Sequence, residues 1–287
     1  MLRKELIDTL SKKYDISSVD IFNSEQDTVD NILAYILGKK VLDIKLTRNI
    51  ELSKKETKKL ENMLDKLCNK HIPYQYITED VYIYGLHFFV NKHVLIPRQD
   101  TECLIHEAIS YVNINQYKTM LDMCTGSGIV GICVAKLSNV QNVDMTDISR
   151  SALKVAKKNI DGLNVSGKCH AYISDVFKNV DLTKKYDIIT ANPPYVTKDE
   201  YEGLSLYVKE EPYIALVASD DGMYFYKKIA KEAKNYLNND GMLVFEIGFS
   251  QADKVVEILK SEEYSDIVVK KDLNSNDRVV SCRFQKK

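Results

Sequence analysis

From Thr119 onward the chain alternates short apolar runs with amphipathic stretches, and that rhythm constrains its fold more than any other feature of the sequence. The runs Met120 to Met123, Val143 to Thr146, Ala171 to Ile173, Tyr186 to Ala191 and Met242 to Ile247 are strand-sized. The stretches near Ile129 to Leu137, Ser149 to Ile160, Tyr224 to Leu237 and Gln251 to Leu259 carry the period of a helix. Strands separated by helices pair in parallel, because each helix crosses back over the sheet, and both faces of the sheet end up covered. The tail departs from that rule. Ile267 to Lys270 and Val279 to Phe284, joined by the turn-forming Asn274-Ser275-Asn276-Asp277, predict a terminal antiparallel hairpin.

Upstream the period is helical. Leu2, Leu6 and Leu10 recur every fourth position, and Val29, Ile32, Leu33, Ile36 and Leu37 form a second stripe. Ser53 and Glu56 make a capping box ahead of a third stripe, Leu60, Met63, Leu64 and Leu67. The lysines around it, Lys54, Lys55, Lys58 and Lys59, interleave with Glu56 and Glu61, as on a solvated helix face. Aromatic and β-branched residues flank Gly85 between Pro73 and Ile96, which predicts a β-hairpin. The expected organisation is a small N-terminal helical bundle over residues 1–72, a β-hairpin linker over 73–97 and an α/β domain over 98–287.

The balance of 45% hydrophobic and 28% charged residues, with only 5 Pro and 11 Gly, excludes fibrous and disordered classes. A net charge of −1 lacks the positive excess of a nucleic-acid binder, so no direct DNA binding is expected. No run approaches the roughly 18 apolar residues of a membrane span. Near the N-terminus charges interleave with Leu and Ile where a secretion signal would be apolar, so no membrane association is expected and the chain reads as cytoplasmic. Cys68, Cys103, Cys124, Cys133, Cys169 and Cys282 are scattered, without a C-x-x-C pair or a histidine at ligand spacing; reduced thiols and no metal site are expected.

The first of these strands gives way to a helix through Asp122-Met123-Cys124-Thr125-Gly126-Ser127-Gly128-Ile129-Val130-Gly131. Glycines at such a turn let the backbone approach a ligand, and the helix beyond offers unpaired N–H groups. Asp147, at the end of the second strand, is placed to accept a pair of ribose hydroxyls. A nucleoside-containing cofactor follows, and the spacing suits NAD and S-adenosylmethionine alike. Asp122 separates them, because a carboxylate before the glycines is awkward beside a pyrophosphate and favourable beside a cationic amino-acid end. Asp175, after the third strand, is placed to reach an adenine amino group.

The fourth strand runs straight into Asn192-Pro193-Pro194-Tyr195. Two prolines fix φ and remove two donors, which leaves the corner stiff with its carbonyls free. Strand carboxyl ends bind ligands in open α/β sheets, so the corner is expected at the same crevice as the glycine loop. A planar –NH2 group attacking a sulfonium methyl needs both hydrogens accepted, its lone pair aimed and water excluded. The Asn192 side-chain oxygen and the Pro193 carbonyl can accept, and Tyr195 can stack on the planar group. The nitrogen can shed its proton after transfer, so no histidine–carboxylate pair is required.

Asn192-Pro193-Pro194-Tyr195 resembles the signature of amino-methyltransferases acting on a planar nitrogen. More narrowly, the chain resembles the PrmC/HemK family, bacterial methyltransferases that modify the glutamine of the Gly-Gly-Gln motif in class-I peptide chain release factors. The resemblance extends to Leu95-Ile96-Pro97-Arg98-Gln99-Asp100-Thr101-Glu102, Glu211-Pro212 with Ala215-Leu216, Asp221-Gly222, Phe245-Glu246-Ile247-Gly248 and Asp277-Arg278-Val279. It implies a Rossmann-like S-adenosylmethionine-dependent methyltransferase sheet of seven strands with a terminal antiparallel hairpin, plus the N-terminal helical bundle, which would grip the partner protein. S-adenosyl-L-methionine would lie against Asp122, Cys124, Thr125, Gly126, Ser127, Gly128, Asp147, Asp175, Val176 and Asn192. The catalytic corner would be Asn192, Pro193, Pro194 and Tyr195. Two positions depart from the family, which usually has Gly in place of Cys124 and Pro in place of Gln99. Cys124 is expected to keep a negative φ, since a side chain disfavours the left-handed region.

Three other readings use the same residues. An adenine-N6 nucleic-acid methyltransferase would apply the corner to a base flipped from its stack, and would need a basic groove. An NAD-dependent oxidoreductase shares the glycine spacing but leaves the prolines without a purpose. A non-catalytic interaction module would keep the pocket alone.

Overall fold

The computed structural model describes residues 2–14 and 25–286. The chain forms two compact units, Met1–Asp80 with Leu204–Glu210, and Val81–Gly203 with Glu211–Lys287. The first unit contains α1 (Arg3–Tyr14), α2 (Glu25–Leu37), α3 (Val41–Leu46), α4 (Lys54–Lys70) and α5 (Tyr74–Thr78). Its core is built from the expected stripes: Val29, Ile32 and Leu33 of α2 meet Leu60, Met63, Leu64 and Leu67 of α4. In α1 the buried pair is Ile7 and Leu10, while Leu2 precedes the helix and is exposed. The capping box is present: Glu56 N–H donates to the Ser53 hydroxyl, and Ser53 N–H donates to the Glu56 carboxylate at 2.7 Å. Lys54, Lys55, Lys58 and Lys59 are exposed. Residues 204–210 join this unit through Tyr207, whose hydroxyl donates to the Leu67 carbonyl at 3.0 Å.

The second unit begins within a hairpin of β1 (Asp80–Ile83), whose first residue ends the first unit, and β2 (Leu86–Phe89). It continues through α6 (Thr101–Asn115), β3 (Thr119–Met123), α7 (Ile129–Leu137), β4 (Asn142–Asp147), α8 (Arg150–Gly162), β5 (Cys169–Ile173) and β6 (Tyr186–Ala191). The short helices α9 (Lys198–Glu202), α10 (Leu206–Lys209) and α11 (Tyr213–Leu216) follow, α10 falling in the first unit. The chain closes with α12 (Tyr224–Ala233), β7 (Leu237–Glu246), α13 (Ala252–Ser261), β8 (Ser265–Lys271) and β9 (Asp277–Arg283).

The seven-stranded sheet has the order β5-β4-β3-β6-β7-β9-β8. Pairing is parallel from β5 to β7, and β9 runs antiparallel to both β7 and β8, the expected terminal hairpin. Tyr226, Ile229 and Leu259 of α12 and α13 pack on one face with Phe245, and Leu104, Ile105 and Ile132 of α6 and α7 pack on the other. The chain moves outward from β3 to β5 and returns to β6 on the other side of β3. That reversal sets the ends of β3 and β6 side by side, with Asp122 opposite Thr190 and Met123 opposite Ala191, and a crevice opens at such a switch point.

Short helices such as α3 and α9 to α11 go beyond the sequence expectation, and three further differences bear on the sheet unit. Helix α6 was not anticipated, because its apolar residues Cys103, Leu104, Ile105, Ala108, Ile109 and Val112 spread over a wide arc and follow a proline-containing turn. Helix α12 ends at Ala233 and β7 starts at Leu237, since Leu237 pairs with Tyr186 before a register shift. The segment 73–97 is a helical turn followed by the hairpin, and the hairpin packs with the sheet unit through buried Ile83 and Phe88.

Asp30 is fully buried and is met by Arg3, whose Nε donates at 2.9 Å and whose second nitrogen pairs with the other oxygen. Removing one partner strands a buried charge at about 3–5 kcal/mol. Arg3→Met is therefore expected to lower the unfolding free energy of the helical unit by about 3 kcal/mol in urea titrations. Circular dichroism is the probe, since the chain has no Trp.

Candidate active site

At the switch point the structure has a cleft enclosing about 1210 Å3, part of it open to solvent. Its walls include Asp122, Cys124, Thr125, Gly126, Ser127, Asp147, Asp175, Val176, Asn192 and Pro194. Strand ends from β3, β4, β5 and β6 thus deliver to one cavity the residues singled out from separate parts of the sequence. Gly128, Pro193 and Tyr195 are not on the walls.

The conformation of the glycine loop is set by Asp122. Its carboxylate is buried and accepts from the Thr125 hydroxyl at 2.5 Å, the Gly131 N–H at 3.2 Å and the Thr190 hydroxyl at 2.8 Å. Both oxygens are therefore engaged within the protein, where the sequence suggested a counter-charge facing a ligand. Burial pushes the carboxyl up to about 6, against the lowering effect of those donors. Gly128 has φ +85°, and an added Cβ would stand 2.8 Å from Met145 Cε, so this glycine lets α7 start against the sheet. Asn159 of α8 donates to the Ser127 carbonyl at 2.8 Å and exchanges hydrogen bonds with the Phe89 backbone, tying the loop to the hairpin.

Cys124 has φ +55°, in the left-handed region, which overturns the expectation of a negative φ. The loop path is dictated by neighbours on both sides, Asp122 below and Thr146, whose carbonyl accepts from Thr125 N–H at 3.0 Å. The thiol is driven well above its ordinary value by burial and by the carboxylates of Asp147, Asp122 and Asp175, so it is a neutral wall of the cavity. Val176, also on the wall, is β-branched and has φ +51°, a conformation that costs such a residue on the order of 1–3 kcal/mol. The Ser174 hydroxyl donates to the Val176 carbonyl at 2.6 Å and holds the turn.

Asp147 accepts from Gly126 N–H at 2.9 Å and Ser149 N–H at 2.8 Å. Burial raises its carboxyl, and those backbone donors oppose the rise. Asp175 is half-buried and faces Lys228 at 3.7 Å.

In the proline corner Asn192 and Pro194 reach the cleft, while Pro193 is buried. The Tyr195 ring is partly buried against the core, and burial raises its phenol well above the ordinary value. The Tyr195 carbonyl accepts from Gln251 Nε2 at 2.9 Å, and a Cβ on Gly222 would stand 2.3 Å from it, so only glycine fits there. The corner is thus held from behind by α13 and by the turn before α12.

The front wall was not assigned from the sequence. His93, Val94, Leu95 and Pro97 form one part, and Pro212, Ile214 and Ala215 another. Glu211 fastens the two parts: it pairs with Arg98 and accepts Ile96 N–H at 2.8 Å, nine-tenths or more out of solvent. Opposite charges set among apolar neighbours were the available signal, but their 113-residue separation hid the pairing. Among the described residues no cluster of His, Cys, Asp and Glu could hold a metal ion, and the six cysteines are free.

The sheet order, the glycine loop and the cavity at the switch point define a Rossmann-like methyltransferase. Residues 103–206 match the family Methyltransferase small domain. A methyltransferase from Pyrococcus furiosus shares the fold, with a TM-score of 0.55 at 16% identity over 74% of this chain and 94% of that one. The release factor glutamine methyltransferase of Clostridium acetobutylicum is 36% identical over 277 residues, 95% of this chain and 96% of its own. That of Clostridium botulinum is 33% identical over 280 residues, 97% of this chain and 99% of its own. The chain belongs to the release factor glutamine methyltransferase family.

The left-handed conformation of Cys124 costs an L-residue about 1–2 kcal/mol, and glycine gives back about half of that in unfolded-state entropy. Cys124→Gly is expected to raise the unfolding free energy by about 0.5–1 kcal/mol in denaturant titrations.

Proposed function

We propose that the chain methylates the side-chain amide nitrogen, N5, of the glutamine in the Gly-Gly-Gln motif of bacterial class-I peptide chain release factors, with S-adenosyl-L-methionine as the donor. One observation carries the reading: Asn192 and Pro194 share a cavity with Asp122, Asp147 and Asp175, and no Lys or Arg lies on its walls. The carboxylates of Asp147 and Asp175 favour a cofactor with sulfonium and ammonium charges and disfavour the pyrophosphate of NAD. Membership of the family over nearly the whole chain supports the choice of substrate.

When bound, the cofactor supplies an electrophilic methyl group on its sulfonium. The loop from Cys124 to Ser127 and the Asp147 carboxylate would hold it, and the Asp175-Val176 turn would bound its adenine end. Asn192 Oδ1 and the Pro193 carbonyl accept the two hydrogens of the glutamine amide, which leaves the nitrogen lone pair free to face the methyl group. Tyr195 lies off the cavity wall against the core, where its ring backs the corner that holds the amide. Glutamate is rejected because a carboxylate cannot donate to either acceptor, and each acceptor left unpaired costs roughly 1–3 kcal/mol. The product nitrogen sheds a proton after transfer, so the site needs no histidine base. The partner is then a cytoplasmic protein of translation termination.

The test is incubation with methyl-labelled cofactor, a release factor, its Gly-Gly-Glu variant and adenine-containing DNA. Label is expected in the unmodified release factor alone, and label in the DNA would favour the adenine-N6 reading. Asn192→Ala is expected to slow transfer at least about tenfold while the affinity for S-adenosylhomocysteine stays within a few-fold. An unchanged rate removes the role given to that side chain.

A further inference from the structure

Glu246 ends β7 beneath the proline corner, and nothing in the reaction as described uses it. The parallel register ends with Ala191 opposite Phe245, and the next residues along the two chains are Asn192, just past the end of β6, and Glu246, the last of β7. Glu246 is 2% exposed, and its Oε2 has no hydrogen-bond partner. Buried acceptors of that kind are rare and call for a reason. Thr101 and Asn192, which both line the cavity, are the side chains that favour its charged form by hydrogen bonding.

An asparagine amide can face a cavity with either end. Only one end serves here, because Oδ1 must accept from the substrate –NH2, and an outward Nδ2 would set donor against donor. A carboxylate beneath the amide can only accept. By accepting from Nδ2 it would leave Oδ1 facing outward. We infer that Glu246 is a positioning residue, whose ionised carboxylate orients the Asn192 amide with Oδ1 toward the cavity. This rests on the proposed reaction for its consequence and on the strand register for its geometry.

The surroundings make that orientation depend on pH. Asp100, Thr101 and Cys103 face Glu246 from the start of α6, Asn192 and Tyr195 from the corner, Tyr226 from α12 and Arg278 from β9. Arg278 is already shared with Asp100 and Asp272, each at 3.2 Å, and with the Ile247 carbonyl. Burial consequently prevails and pushes the Glu246 carboxyl up to about 7. Below that pH the protonated acid can donate to Asn192 Oδ1 and favour the unproductive orientation; above it the charged form restores the productive one.

The experiment uses Glu246→Gln, which keeps the volume and removes the charge. The expected results are a kcat at least about fivefold lower and an S-adenosylhomocysteine affinity within about twofold of the parent. In the parent protein kcat should fall as pH drops through about 7, and that limb should be absent from the variant. Because Glu246 acts through Asn192, adding Glu246→Gln to Asn192→Ala should cause no further loss. A parental kcat, a retained acidic limb or an additive double variant would each overturn the inference. A readout without turnover is the 15N resonance of the Asn192 side-chain amide, assigned by its disappearance in Asn192→Ala. It should titrate near pH 7 in the parent, and an amide that does not respond to pH overturns the orientation. This measurement also decides the matter should Glu246→Gln fail to fold. Failure of the parent protein to methylate release factors would instead sink only the proposed function.

Discussion

The carboxylate of Asp122 holds the switch point together. It spans the end of β3, the glycine loop, the first turn of α7 and the facing strand β6 by taking three hydrogen bonds in a buried setting. Charge-assisted bonds of this kind are stronger than neutral ones, and each also fixes a backbone direction. Thr125 and Gly131 are drawn toward one point, and the loop between them lines the cavity through Gly126, Ser127, Ile129 and Val130. That wall of the cavity depends on the anchoring.

Two strained turns line the cavity and a third stands behind the corner. Cys124 and Val176 both adopt positive φ on the cavity walls, and Asp220 and Asp221 do so just before Gly222 meets the corner. None of these turns would persist in isolation, since each side chain disfavours the left-handed region. They persist because Asp122, Ser174, Gln251 and the packing of Gly222 over-determine the path around them. Stiffness at the corner therefore has two sources, the proline rings themselves and the support from behind. Glu246 adds a third element, acting on the orientation of a side chain in place of a backbone path.

Much of the fold was legible because its signals are local. The period of α7, the box at Ser53 and Glu56 and the turn residues ahead of β9 each lie within a few positions of what they determine. Helix α6 was hidden because its apolar arc is wide, and the start of β7 because Leu237 to Gly241 follows a helical pattern without a break. In the site, the cavity brings together Cys124, Asp147, Asp175 and Asn192 as their positions at strand ends implied. The part played by Asp122, the φ of Cys124 and the front wall were not legible, since each depends in part on a partner distant along the chain: Thr190 for Asp122, Thr146 for the loop at Cys124, and Glu211 for the wall.

The amino-acid sequence by itself determined the alternation that makes a parallel sheet, the antiparallel tail and the chemistry available at two strand ends. Those properties follow from residue type and short spacing, which exist before the chain folds. Only the tertiary structure decided that both oxygens of Asp122 are engaged inside the protein, that Glu211 bridges two segments of the wall and that Glu246 lies beside Asn192. Each of those results depends on at least one partner tens of residues away, and burial changes what the groups do: a carboxylate that water would keep charged is held near the balance between its two states.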